Sequence, residues 1–282
     1  MRTVLLLLIA GGAAVLFSRC TTNRFYAPNT MQVPMLAQQQ EATISGSYSK
    51  TRKLSGFDVQ GMYSPLPHVG LMASHFDIRY NGSVYTEFSP FFYESQYNGR
   101  SRLTEGGTGA YTQVGPNKEY LLSLFGGFGQ GNTLNRYSPP PDMQTTETFD
   151  SRWKYRRWFV QPALGMKYRR LQVGTALRFV WLDYYEGDIN SRMGILETER
   201  IQALESNSPL FLTEMAWTIG LRLRPLVLSL NSTAVVRGKD AVRDLELASN
   251  YVSFSVGLNL HELVKEKEQK PGKKKKKKQR RK

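Results

Sequence analysis

A chain of 282 residues with a single cysteine, Cys20, cannot close an internal disulfide, which excludes the small cross-linked secreted scaffolds. The formal net charge of +15 is concentrated at one end: Lys270, Lys273 to Lys278, Arg280, Arg281 and Lys282 supply ten positive charges with no acid among them, leaving +5 for the rest. The basic character therefore belongs to a tail, not to a nucleic-acid-binding body.

Residues 1–19 read as a leader. Arg2 precedes an apolar stretch from Val4 to Phe17, which at about fourteen residues is too short for a bilayer-spanning helix and suits a signal h-region. Leu16-Phe17-Ser18-Arg19-Cys20 resembles the lipobox of bacterial lipoproteins, which implies an acylated Cys20 as the first mature residue, although Arg19 departs from the usual small residue. Residues 20–41 are then expected to be a periplasmic linker carrying that lipid anchor.

From residue 42 to 261 the pattern is period two. Leu171, Val173, Thr175, Leu177, Phe179 and Trp181 share one face of an extended segment, opposite Gln172, Gly174, Ala176 and Arg178. The alternation returns in Trp158, Val160, Leu164 and Met166, in Phe211, Met215, Trp217, Ile219 and Leu221, and in Val252, Phe254, Val256, Leu258 and Leu260. A soluble sandwich would hide these apolar faces, whereas a membrane barrel turns them to lipid and keeps small and polar residues inside. Segment lengths of ten to sixteen residues, with Gln161, Arg178, Glu214 and Asn231 in mid-strand, favour the barrel.

The resulting fold is all-β: a closed antiparallel up-and-down transmembrane barrel of about ten strands, twelve if Ser83 to Tyr93 adds two. Predicted strands are Ala42–Lys50, Gly56–Ser64, Val69–Ile78, Thr104–Val114, Lys118–Gly129, Trp153–Lys167, Leu171–Tyr185, Leu210–Arg222, Leu226–Val236 and Asn250–Leu260. Short connections at 64–68, 115–117, 168–170 and 223–225 alternate with long ones at 80–103, 130–152, 186–209 and 237–249, which predicts both termini on the periplasmic side. Trp153, Tyr155, Tyr168, Tyr184 and Tyr185 are expected to form interfacial girdles. Pro162 predicts a bulge, Asn81-Gly82 a hairpin turn, and 196–204 a short helix capping the barrel.

With strands and leader in place, the chain resembles the small outer-membrane β-barrel lipoproteins of Gram-negative bacteria, usually described only as barrel proteins. The resemblance rests on Phe25-Tyr26-Ala27-Pro28-Asn29, on Phe57 to Pro65 leading to His68-Val69-Gly70-Leu71-Met72, and on Trp158-Phe159-Val160-Gln161-Pro162-Ala163-Leu164-Gly165. It implies a location in the cell outer membrane and a fold, and carries no catalytic residue with it.

Asp58, Glu105, Arg157, Arg178, Glu214 and Arg222 are the charges expected to face the lumen, as ion pairs that fill a narrow interior. His68, His75 and His261 are scattered, so neither a metal nor a cofactor is expected. A hydrolase would have to use His75 with Asp183 or Asp77. Gly126-Gly127-Phe128-Gly129-Gln130-Gly131 lacks the following helix that a phosphate loop needs. The expected role is structural, interactive or ligand-docking, and not enzymatic; a narrow channel for small or lipophilic solutes is the alternative. The outer-membrane bilayer is the expected partner. The Lys273–Lys278 tail, within 262–282, is expected to stay disordered and to touch anionic headgroups or cell-wall polymer.

Overall fold

The computed structural model describes residues 26–50, 54–88, 91–138, 148–190, 202–236 and 250–263; side chains at 83–88, 91–95, 149, 189, 190, 236 and 250 are outside that description. The leader, Cys20 and the lysine tail lie outside the described residues.

Ten antiparallel strands close into a barrel in which each strand pairs with its neighbours in sequence and β1 pairs with β10. They are β1 (Ala42–Lys50), β2 (Leu54–Leu66), β3 (Val69–Phe88), β4 (Phe91–Val114), β5 (Tyr120–Ser138), β6 (Phe149–Tyr168), β7 (Leu171–Asn190), β8 (Leu210–Arg222), β9 (Leu226–Val236) and β10 (Asn250–Asn259). Closure pairs Ile44 with Leu258 and Tyr48 with Phe254, so no edge remains to be satisfied inside a bilayer.

Alternation sets the two faces. Phe57, Leu122, Leu124, Trp158, Leu177, Phe211, Leu221, Phe254 and Val256 point outward and are exposed, while their neighbours in sequence turn in. On β6 the outward apolar run from Trp158 to Tyr168 covers ten residue steps, about 33 Å of strand and about 25 Å of membrane normal once tilted, the height of an apolar belt. At the rim with the short connections, Gly115 has φ 94°, His68 φ 65° and Arg169 φ 50°, left-handed conformations that tight turns demand.

Six strands, β2 to β7, are longer than the sequence pattern predicts. β3 to β7 have 19 to 24 residues, whereas β8, β9, β10 and β1 have 9 to 13, so one wall rises well beyond the belt. Within the expected long loops, residues 80–88, 91–103, 130–138, 149–152 and 186–190 are the tall parts of these strands. Their outward face turns polar, with Arg79, Arg100, Arg152 and Lys154, and this marks departure from lipid while the backbone ladder continues unbroken. Asn81 and Gly82 pair with Asn98 and Tyr97 and make no turn, and Phe88 pairs with Phe91. Ser83 to Tyr93 therefore extends the β3–β4 hairpin, and the count stays at ten.

Two further expectations are corrected. Pro162 makes no bulge: Val160 pairs with Phe179 and Ala163 with Ala176 in the same register, and the ladder to β7 is merely interrupted between them. The register shift falls instead at Tyr185, between Lys154 and Tyr155 of the partner strand. Of the proposed girdle, Tyr168 and Tyr185 face out, but Trp153, Tyr155 and Tyr184 are buried in the lumen. On β6 the cause is parity, since Trp153 and Tyr155 share the face of Arg157.

Inside the tall wall lies an aromatic core of Phe76, Tyr80, Tyr97, Tyr137, Trp153, Tyr155 and Tyr184, joined by Tyr26 and Leu204. Residues 202–206 are helical and Leu204 is fully buried in that core, so this segment caps the mouth; 196–201 lie outside the described residues. Glycines give the rings room. A Cβ on Gly99 would meet the Tyr80 ring at 1.9 Å and one on Gly131 the Tyr155 ring at 2.3 Å, while Gly46 has nothing within 4 Å. Gly131→Val should lower the stability of the folded barrel by about 1–3 kcal/mol through overpacking, whereas Gly46→Val should change it by less than about 0.5 kcal/mol. Urea midpoints of refolding into detergent micelles check both.

Candidate functional site

The lumen is occupied by the chain itself. Of residues 20–41, expected as a periplasmic linker, 26–37 run through the barrel's interior, with Tyr26, Asn29, Thr30, Met31, Val33 and Leu36 all buried, and Gln38 to Gln40 turn at the rim. Pro28 and Pro34 suit this path, because the segment forms neither helix nor ladder and its polar backbone must be met by the wall. The wall meets it. Gln161 Nε2 donates to the Gln32 carbonyl at 2.8 Å, Gln60 donates to the Thr30 carbonyl, and the Met31 amide donates to Thr233 Oγ1 at 3.1 Å. Lower down, a Cβ on Gly165 or Gly174 would strike Met35 at 2.6 Å, so the thioether seats where these two strands lack side chains.

At the centre stand four charges from four different strands. Arg157 Nη2 lies 3.0 Å from Glu105 Oε2 and 3.5 Å from Glu214 Oε2, and Arg178 Nη1 lies 3.1 Å from Glu105 Oε1 and 3.8 Å from Glu214 Oε2. All four side chains are essentially without solvent exposure. The strap supplies two further partners. Asn29 Nδ2 donates to Glu105 Oε1 at 2.9 Å, while its Oδ1 accepts from Arg178 Nη1 at 3.3 Å and Arg157 Nη2 at 3.5 Å. The Tyr26 hydroxyl donates to Glu214 Oε1 and accepts from Arg157 Nη1. Gln161 Oε1 accepts from Arg178 Nε at 2.8 Å, and the Arg178 guanidinium lies 4.5 Å from the Phe159 ring centroid.

Of the six charges predicted for the lumen, the structure thus brings Glu105, Arg157, Arg178 and Glu214 into one cluster. Asp58 is buried on β2 with no hydrogen bond to either carboxylate oxygen among the described residues. Arg222 stands apart at the rim with the short turns, 3.2 Å from Glu262 Oε1. There it lines a cavity of about 90 Å³ beside the strap, with Thr43, Ser47, Asn231, Ser255 and Lys167. Sequence periodicity missed Tyr26 and Asn29, since neither sits in a strand. The available signal was composition: 26–36 is too apolar for a solvated linker.

The chain leaves the lumen at that rim. Glu41 there accepts from the Ala37 amide at 2.6 Å and pairs with Lys167 at 3.3 Å. Tyr26, in contrast, bonds Glu214, four residues from the upper end of β8 and eight from its lower end. The described strap therefore descends from mid-barrel to the turn rim.

The histidines stay apart. His68 Nδ1 bonds the Tyr111 carbonyl oxygen at 3.0 Å, His75 Nδ1 bonds Thr104 Oγ1 at 2.8 Å, and His261 follows β10. The described residues contain no group of three or more acid, histidine or cysteine side chains placed to hold a metal ion. Gly126 to Gly131 lie within β5 and open no helix.

A closed antiparallel cylinder with an apolar outer belt and a polar, packed interior defines a transmembrane β-barrel of the outer-membrane type. The chain matches no known family profile and no curated protein. Among solved structures it is similar to the outer membrane protease OmpT from Escherichia coli at 7% identity, covering 78% of this chain and 93% of that one, with a TM-score of 0.46. It is also similar to the NanC porin at 9% identity, 77% and 98% coverage and a TM-score of 0.31. CdiB from Acinetobacter baumannii matches at 9% identity, 78% and 60% coverage and a TM-score of 0.26. These likenesses concern the fold and transfer no activity.

Removing one member of a buried ion pair strands its partner. Glu105→Ala should therefore destabilise the barrel by about 3–5 kcal/mol, and Asn29→Ala by about 1–3 kcal/mol. The double change Glu105→Leu with Arg178→Met should cost less than the two single changes combined. Chemical unfolding in micelles, run as a double-mutant cycle, measures all three.

Proposed function

We propose that this protein is a sealed, non-enzymatic outer-membrane barrel, a rigid platform whose tall wall is offered for recognition, and not an open channel. The observation that supports it is the strap: residues 26–37 fill the lumen and are bonded to the Arg157–Arg178–Glu105–Glu214 cluster by Tyr26 and Asn29. A ten-stranded barrel has little interior to spare once its own side chains are placed, and a seated peptide removes the remainder. Recognition then falls to the part that rises beyond lipid, since binding residues concentrate on segments held by a rigid scaffold.

The wild-type protein in planar bilayers should show no stable conductance. Tyr26→Ala with Asn29→Ala should introduce flickering openings, provided heat-modifiable migration confirms a folded barrel. Steady, reproducible wild-type conductance altered by Arg178→Ala would refute the sealed reading and favour the narrow channel.

The lipid anchor belongs to the same proposal. Cys20 precedes Tyr26 by six residues, a reach of at most about 20 Å, so an acyl chain on Cys20 would tether the N-terminal side of the strap to the bilayer. Palmitate should label the wild-type protein and not Cys20→Ala. The Lys273–Lys278 tail is proposed as an arm for anionic headgroups or cell-wall polymer, on its charge alone.

A further inference from the structure

Above the apolar belt, the outer wall carries cations on β1, β3 and β4: Lys50 follows the outward Tyr48 on β1, Arg79 lies above His75 and Asp77 on β3, and Arg102 and Arg100 lie above Thr104 on β4. Successive outward residues are about 6.6 Å apart along a strand and about 5 Å apart along the normal of a tilted barrel. The headgroup layer is about 5–8 Å deep on each side of the hydrocarbon, so Lys50, one step above Tyr48, stands within it, and the arginines, rooted one to two steps higher, have side chains long enough to reach down to it.

Their arrangement leaves charge over. Register places Arg79 directly opposite Arg100, a like-charge pair that is unfavourable in a sheet. Asp77 is the one acid bonded here among the described residues, and it is already shared: Arg100 Nε donates to it at 2.8 Å and Arg102 Nε at 3.1 Å. Arg136, above them on β5, is held by Asp150 at 2.9 Å. Lys50 and Arg79 have no ion pair among the described residues, and both are exposed. Lys50, Arg79, Arg100 and Arg136 line one open cleft on the outer wall, with Ser55 and Asn98 as further hydrogen-bonding groups. On β6 and β7 the balance differs, since Lys154 is paired with Glu186 at 2.7 Å and the Arg156 guanidinium covers the Tyr185 ring.

We propose that this cleft binds the phosphate of a membrane lipid, with Lys50 and Arg79 as the principal cations and the lipid's acyl chains lying on the belt below. Guanidinium groups suit phosphate oxygens, and long basic side chains reach headgroups while their stems stay on apolar surface. Below Arg102 and Arg100 the outward face of β4 is small, Gly106, Thr108, Ala110 and Thr112, which leaves a trough along which a chain can lie.

The full chain in phosphatidylcholine nanodiscs doped with phosphatidic acid, read by native mass spectrometry, tests this. Wild-type protein should retain phosphatidic acid over phosphatidylcholine. Lys50→Ala with Arg79→Ala should weaken retention about thirtyfold, about fivefold for each cation removed. Asp77→Asn, which frees Arg100 and Arg102, should strengthen it. Equal retention by the double variant, folded by heat-modifiable migration, would overturn the proposal. So would retention lost only on truncation after Pro271, which would assign the lipid to the tail, or displacement by inorganic phosphate at equal concentration, which would make the occupant a free anion.

Discussion

A charged group enclosed by a membrane-spanning cylinder has no bulk water to turn to, and leaving it unpaired costs several kcal/mol. Here two arginines and two glutamates from β4, β6, β7 and β8 meet at the axis, and their formal charges cancel. Four side chains cannot saturate one another, however, because each guanidinium offers five donors and each carboxylate several acceptor positions. Asn29 fits this deficit well: its amide gives a proton to Glu105 and its oxygen takes protons from both arginines. The cluster and the strap thus require each other, and much of the interior is organised around that mutual need.

The remaining interior divides by height. At the turn rim the strap is held by the Glu41 turn, Lys167 and Met35, and a small hydroxyl-rich cavity persists beside it. Above the cluster the lumen is aromatic, and Tyr97, Tyr137, Tyr155 and Tyr184 pack ring against ring, with centroids 5.7 to 5.8 Å apart. This upper core lies where the wall has left the membrane, so its outside can be polar and its inside greasy, the reverse of the belt. One strand can therefore run through both regimes with an unchanged hydrogen-bond ladder while the chemical meaning of its two faces changes over.

That inversion governs the outer surface too. Within the belt the wall offers only apolar or small residues; above it come first neutral polar residues, His75, Thr104 and Gln130, and then Arg79, Arg100 and Arg102, with Asp77 the acid bonded among them. With the strap along its axis, what the barrel presents beyond the membrane is its wall and its rim. The tall half, β3 to β7, gives that rim a direction, because the short half formed by β8, β9, β10 and β1 ends near the membrane surface.

The sequence by itself determined the barrel, a count of ten or twelve strands, the outward row of Trp158, Leu177, Phe211 and Phe254, and the inward placement of Arg157, Arg178, Glu105 and Glu214; the β3–β4 pairing through Ser83 to Tyr93 fixed the count at ten. Each follows from period-two alternation, a local property in which side-chain direction is fixed by strand geometry. It also contained the parity that sends Trp153 and Tyr155 inward, although their position near strand ends suggested girdles. Tertiary structure alone decided what lies at the axis. Residues 26–41 have no periodicity, and their partners Glu105, Arg157 and Glu214 are 76 to 188 residues away, so only closure of the cylinder brings Tyr26 and Asn29 to the charges they satisfy.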